Sequence, residues 1–349
     1  MKINLSKINL GPDAGSSAKI QELVEKTFTK NGSYTISPDE GYDAIADAKV
    51  NVNVTTPLEV WTDIAEMKYA YSEVSSFPSS LSFAPRTGDQ AYHMFSYSVI
   101  NTAPDIDFSG ATSLKEMFYY CSSLITVPNY DTSSVTNFNA VFYKCSKLKN
   151  APSFDVSKGV NFDSMYNSCS KLANIQNAFI NIPENPCTTY RMFYQCTSLK
   201  YGSDMLGGII GQSSDVRELF RNCTALISAT AATIGEWTLS ESVNSTACMF
   251  DNCVSLVQLP CIDMTYVTNT SQMLFYCTSL QLLYKGGLKN LKCDCDLSTC
   301  TALTHDSLVD LFNVIATVSG KTLTLGSTNL AKLTDEEKAI ATGKGWTLA

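Results

Sequence analysis

Cysteine and histidine are the residues of this chain best suited to chemistry, and their spacing limits what that chemistry is. Thirteen cysteines could form a disulfide framework, hold a metal or supply a nucleophile. Eight of them fall at one phase of a repeat: Cys121, Cys145, Cys169, Cys196, Cys223, Cys253, Cys277 and Cys300, with gaps of 24, 24, 27, 27, 30, 24 and 23. A cysteine at the same phase of every repeat reads as a small buried filler, so most are expected to be free thiols. Cys187, Cys248, Cys261, Cys293 and Cys295 lie off this ladder. The Cys293-Asp294-Cys295 pair could bind metal, but no second Cys or His pair stands nearby at zinc-ligand spacing, and it reads as two loop thiols. The two histidines, His93 and His305, stand at opposite ends of the repeat array. No Ser/His/Asp or Cys/His site includes both, and His93 reads as a cap residue, since a base needs a partner within hydrogen-bond reach. Carboxylates recur at no spacing that suggests paired acid–base work. Gly207-Gly208 and Gly286-Gly287 lack the Gly-Lys-Ser/Thr of a phosphate loop. The expectation is a protein without catalytic residues, metal or cofactor.

What remains for function is surface. Tyr119, Tyr143 and Tyr194 follow the Phe of their repeats and are expected to point outward in one slot. Exposed aromatics in a row can stack on sugar rings or anchor a protein partner. They can equally be a structural stripe, each ring covering the next coil. A second phase holds Thr126, Asn150, Asn174, Tyr201, Ser228 and Gln258, either a polar recognition row or residues that merely solvate the sheet. The candidate binding residues are Tyr119, Tyr143, Tyr194 and Tyr201.

The element that positions these residues is the repeat. One unit reads Met117-Phe118-Tyr119-Tyr120-Cys121-Ser122-Ser123-Leu124 and recurs from Val141, Met165, Met192, Leu219, Met249 and Met273, with a worn copy at Met94-Phe95…Ser98. A proline precedes the Met or Val by thirteen residues at Pro104, Pro128, Pro152 and Pro260. Met117, Phe118 and Cys121 share a face if the unit is a short helical turn. Leu124 through Val127 reads as one parallel strand, ended by Pro128, and Asp131-Thr132-Ser133-Ser134 as a turn bonding its own backbone. Strand, turn and short helix then stack into a solenoid. About nine coils would span roughly 43 Å.

The flanks differ. Asn31-Gly32 is a turn signal between a helix expected over 18–27 and the strands Tyr34-Thr35-Ile36 and Val50–Val54. Residues 1–56 therefore read as an arm plus a small β module, 57–304 as the solenoid and 305–349 as a cap. In the cap, Asp306 opens a helix, Lys321–Leu325 is a strand, Thr334-Asp335-Glu336-Glu337 is a capping box, and Trp346–Leu348 returns as a strand. The net charge of −8 argues against sequence-independent nucleic-acid binding. No apolar run approaches a membrane span, and the N-terminus lacks the apolar core of an export signal.

The Met-Phe-x-x-Cys-x-x-Leu unit, followed by Tyr130-Asp131-Thr132-Ser133-Ser134-Val135-Thr136-Asn137-Phe138 and echoed by Asp263-Met264-Thr265-Tyr266-Val267-Thr268-Asn269, resembles the BspA-like class of leucine-rich repeats found in surface proteins of gut and oral bacteria. The likeness covers about residues 85–305 and implies an α/β leucine-rich-repeat solenoid. The stretch Phe28–Asp43 running into Val50–Val54 resembles a module of bacteriophage tail and fibre proteins, and Leu333–Trp346 resembles the end of phage-encoded repeat proteins. Together the resemblances imply a non-enzymatic virion component: a fibre, decoration or receptor-binding protein. It would dock on other virion proteins by its N-terminus and bind a host surface protein or glycan through the solenoid, with homo-oligomers compatible. The alternative is a bacterial cell-surface adhesin of the same repeat class.

Overall fold

The computed structural model describes residues 91–230 and 235–349 continuously, residues 87–89, and six strands nearer the N-terminus. From Ala91 to Leu303 the backbone winds in coils that hydrogen-bond to one another. Phe95 N donates to Met117 O, Phe118 N to Val141 O, Phe142 N to Met165 O, Tyr166 N to Met192 O and Phe193 N to Leu219 O, at 2.8–3.0 Å. The repeat read from the sequence is thus the stacking unit.

Its local form is not the expected helix. In the coil of Met117, alternate residues close turns: Met117 N on Leu114 O, Tyr119 N on Glu116 O, and Cys121 N on Phe118 O. The residues between them, Glu116, Phe118 and Tyr120, donate to the next coil instead. Glu116 and Tyr120 have φ of 56° and 60°, which a type II turn requires at its third position. The same pair of left-handed residues recurs as Ala140/Lys144, Ser164/Ser168, Arg191/Gln195 and Glu218/Asn222. Each coil therefore carries a ribbon of linked β-turns. The ribbon still sends Met, Phe and Cys inward, which is why the face assignment survives the change of element. In several coils an Asn or Ser four residues before the Met or Val opens it: Asn137 Oδ1 accepts from Asn139 N, and Asn161 Oδ1 from Asp163 N, both at 3.0 Å.

The expected strand is also shorter than read. At Thr126 it is a single parallel bridge to Thr102, and further bridges join Asn150 to Asn174 and Tyr201 to Ser228. True strands are two or three residues long, such as Phe154–Asp155 with Phe179–Ile180, and Glu236–Thr238, Cys261–Asp263 and Leu288–Lys289 in one parallel sheet. Small sheets and short helices replace one continuous sheet. The insertions between Cys196 and Cys253 hold the helix Leu206–Gln212, which packs on strand Glu236–Thr238.

The core runs the length of the array. Phe95, Phe118, Phe142, Tyr166, Phe193, Phe220 and Phe250 stack with neighbouring centroids 5.2–5.6 Å apart, all fully buried. At the C-terminal end, helix His305–Val314 begins at a Thr304 cap, and the Thr334 capping box opens helix Asp335–Gly343. Strands Cys295–Asp296, Lys321–Thr324 and Trp346–Leu348 form the closing parallel sheet.

Nearer the N-terminus, Gly32–Ile36, Ala48–Val52 and Leu58–Thr62 pair antiparallel, and Leu81–Phe83 adds parallel to Leu58–Thr62. This sheet runs across the boundary expected at residue 57. Of the helix expected over 18–27, only Lys26–Thr27 is described, as a strand paired with Lys2–Ile3. Most of the arm and of the 28–54 resemblance lies outside the described residues.

Candidate functional site

The turn ribbon has an outward face of three rows. The residue before the Met or its equivalent forms one row, His93, Glu116, Ala140, Ser164, Arg191 and Glu218, in which His93 and Ala140 are buried. The residue after the Phe forms the second, with Tyr119, Tyr143, Asn167 and Tyr194 in successive coils, and the next residue forms the third, with Tyr97, Tyr120, Lys144 and Ser168. Tyr119 and Tyr143, expected in one slot, stack face to face with centroids 4.8 Å apart. Tyr97 stacks on Tyr120 at 5.1 Å and meets Tyr119 edge-on. Burial and the neighbouring Tyr120 and Tyr143 hydroxyls push the Tyr119 phenol up to about 12. Lys144 Nζ lies 4.4 Å from the Tyr120 centroid and 5.6 Å from that of Tyr143, and donates to Tyr120 Oη. Five side chains from three coils thus meet. The rings spend faces on one another, so Tyr119 offers a ligand its edge and hydroxyl.

Tyr194 shares the slot but not the cluster, because Asn167 separates it from Tyr143. It packs instead beside Arg191, whose guanidinium stands 5.3 Å from the Tyr194 ring and 4.8 Å from that of Tyr190. Arg191 pairs with Glu218 through two nitrogens, and Arg221 and the Tyr190 hydroxyl reach the same carboxylate. Glu218 is buried enough to raise its affinity for a proton, but these partners outweigh that and hold its carboxyl below the ordinary range. Tyr201 lies elsewhere, on the bridge row with Ser228, and is 48% exposed. In that row Asn150 and Asn174 are exposed while Ser228 is buried.

His93 has partners that no sequence pattern around it marks. Its Nε2 sits 2.7 Å from Glu116 Oε2, and its Nδ1 2.9 Å from Ser96 Oγ. The order carboxylate, imidazole, hydroxyl is that of a hydrolase triad, but the proton positions are not. Ser96 Oγ donates to Glu116 O at 2.8 Å and is fully buried. Its proton is directed at a backbone carbonyl, and no substrate carbonyl reaches it. His305 bridges Asp306 and Glu337 on the surface of the cap.

Every cysteine is a free thiol. The ladder thiols are fully buried, and each donates to the carbonyl of the residue after Met or Val in the preceding coil: Cys121 to Phe95, Cys145 to Phe118, Cys169 to Phe142 and Cys196 to Tyr166, at 2.8–3.1 Å. Desolvation raises their pKa values, which leaves them poor nucleophiles. Cys293 lies in a bend and Cys295 in the strand Cys295–Asp296, and both are buried. Among the described residues no three metal-ligating side chains converge, and no helix is long and apolar enough to cross a membrane. An open groove of about 700 Å³ beside the helix Leu206–Gln212 is lined by Asn181, Ile182, Glu184, Asp204 and Met205 among others.

A protein-family model described as Mycoplasma protein of unknown function, DUF285, matches residues 89–206 and 190–285. No curated protein matches the chain. Among solved structures, a leucine-rich repeat protein from Bacteroides ovatus ATCC 8483 aligns at 12% identity over 93% of this chain and 100% of that one, with a TM-score of 0.32. A leucine rich cell surface protein from Faecalibacterium prausnitzii A2-165 aligns at 12% identity over 79% of this chain and 82% of that one, with a TM-score of 0.28.

Proposed function

Because the chain belongs to the DUF285 family and its repeat resembles the BspA-like class, we propose that it is a non-enzymatic binding protein displayed at a bacterial surface. The observation that carries this reading is the outward face of the turn ribbon. There Tyr97, Tyr119, Tyr120, Tyr143 and Lys144 come together from three coils, while the ladder thiols and the Ser96 hydroxyl are buried and directed at backbone carbonyls. Tyrosine presents a large rigid contact area with a polar tip, which suits recognition. Residues N-terminal to the solenoid serve attachment, and the solenoid serves binding.

The virion reading rests on the flanking motifs alone, and we prefer the cell surface. Antibody labelling of intact bacteria should find the protein outside the cell, and purified protein should adhere to host-cell or mucin surfaces. Label confined to the cytoplasm or to phage particles would overturn the location. Deleting residues 1–86, which keeps the four-stranded sheet from being cut at residue 56, should abolish attachment and leave adhesion intact. Adhesion lost with that segment would overturn the division of roles.

A further inference from the structure

The charges of this chain are unevenly placed. Residues 141–200 carry seven Lys or Arg against three Asp or Glu, in a chain of net charge −8. Five of these cations line one edge of the solenoid. Lys144 stands in the third outward row. Lys147 and Lys171 hold the same position of successive coils, two residues after the ladder cysteine. Lys149 and Lys200 share the position two residues further on, and their carbonyls accept from Ala173 N and Ile227 N in the coils that follow. Lys147, Lys149, Lys171 and Lys200 are exposed. Among the described residues none of the five makes an ion pair. The partners of Lys144 are the Tyr120 hydroxyl and two aromatic rings, so its charge is not neutralised.

Beside this edge the second outward row steps down. Tyr143 is covered by Tyr119 on the side of the preceding coil. The following coil has the shorter Asn167, which is buried, and the half-buried Ser168, and the row rises again at Tyr194. Coils are spaced at about 4.8 Å, so the second face of Tyr143 borders a step one coil wide, with Asn167 buried beneath it and the half-buried Ser168 beside it.

Resting on the binding function proposed above, we infer that this edge is a site for an acidic polysaccharide. One sugar ring stacks on Tyr143 beside Ser168, with its carboxylate or sulfate toward Lys144. The next acidic units follow Lys147, Lys171, Lys149 and Lys200. Cations that recur at a fixed phase from coil to coil match a linear polyanion with regular charge. An aromatic face beside a hydroxyl group matches a sugar ring better than an extended peptide.

The test uses the full chain with heparin and polygalacturonate as probes, and with neutral dextran and polyglutamate as comparators. Both acidic glycans should bind, with affinity falling steeply as salt rises from about 0.05 to 0.2 M. The triple variant Lys144→Gln, Lys147→Gln, Lys171→Gln should bind about tenfold or more weakly. A control pair on exposed lysines elsewhere, Lys289→Gln and Lys292→Gln, should stay within about twofold. Tyr143→Leu should weaken both glycans while leaving the salt slope unchanged. Failure of both glycans to bind at low salt overturns the proposal, and so does indifference to the triple variant. Polyglutamate binding as tightly as the glycans would make the edge a site for acidic peptides instead. Surface adhesion that persists in the triple variant would sink this site and leave the broader binding function standing.

Discussion

The Cys145 thiol donates to the Phe118 carbonyl of the preceding coil at 3.1 Å. That carbonyl already closes a turn on Cys121 N, so the thiol takes its second lone pair. The bond explains why the slot holds cysteine and not alanine. The side chain must be small enough for the coil interior, apolar enough to be fully buried, and still able to donate weakly to an under-satisfied backbone oxygen.

Alkaline pH should therefore unfold the chain. Desolvation pushes the Cys223 and Cys300 thiols up to about 12 from an ordinary value of 9, and the other ladder thiols rise as well. A pKa raised on folding means that the native state holds the proton more tightly than the unfolded one. The associated stability is complete below about 9 and is lost as pH climbs toward the folded value. Each thiol removes up to about 1.4 kcal/mol per pH unit in that window. Urea midpoints should be flat from neutral pH to about 8.5 and fall steeply above 9. A midpoint unchanged at pH 10 would show that the thiols are not desolvated.

Tyr166 takes the place of phenylalanine in the central stack, and its hydroxyl is fully buried with no hydrogen-bond partner among the described residues. A buried hydroxyl left unpaired costs about 1–3 kcal/mol. Tyr166→Phe should keep the stack on Phe142 and Phe193 and stabilise the fold by about 1 kcal/mol or more. Thermal or urea denaturation measures the difference, and a clear loss of stability would mean that the hydroxyl has a partner, such as a trapped water.

The repeat phase was legible because inward packing depends on residue type, and Met, Phe, Cys and Leu carry that signal in every coil. The ribbon was not. Inward positions at Met117, Phe118 and Cys121 fit a helix and a chain of turns equally well, since both bring residues three and four apart to one side. What separates them is the left-handed backbone at Glu116, Tyr120 and Lys144, and such residues are not the Gly or Asn that mark it in a sequence. The tyrosine slot could be read from register, but not the use of Tyr119 and Tyr143 on each other. The His93–Glu116 contact joins neighbouring coils through side chains 23 positions apart, which no local pattern encodes.

The left-handed positions make a direct prediction about backbone strain. Ala140 has φ of 53°, and a Cβ there costs about 1–2 kcal/mol that glycine avoids. Ala140→Gly should be neutral or stabilising by up to about 1 kcal/mol. Ala178 is equally interior but not left-handed, and Ala178→Gly should destabilise by about 1 kcal/mol. Equal losses at both positions in a denaturation series would remove the type II assignment.

The end of a repeat array must be sealed, because the last coil has no successor to cover it. Two lysines do this here by an unusual use of charge. Lys344 Nζ donates to the carbonyls of Phe312, Asn313 and Ile315 at 2.7–3.0 Å, closing the C-terminus of helix His305–Val314. Lys332 Nζ donates to the Thr301 and Leu303 carbonyls at 2.8 and 2.7 Å and to Asn329 Oδ1 at 2.9 Å, and desolvation lowers its pKa. Asn329, itself buried, donates to the Leu297 and Cys300 carbonyls, so the last ladder coil is held from two sides. A cation at a helix C-terminus also meets the negative end of the helix dipole. Lys344→Met keeps the apolar stem and removes the donors, leaving three carbonyls without their cation, and should cost about 1.5–3 kcal/mol. Lys332→Met should cost a similar amount, offset by relief of its own desolvation. In both variants amide exchange should quicken first in residues 305–349, ahead of the central coils around Cys169. Uniform acceleration along the whole chain, or none, would show that these lysines do not fasten the cap.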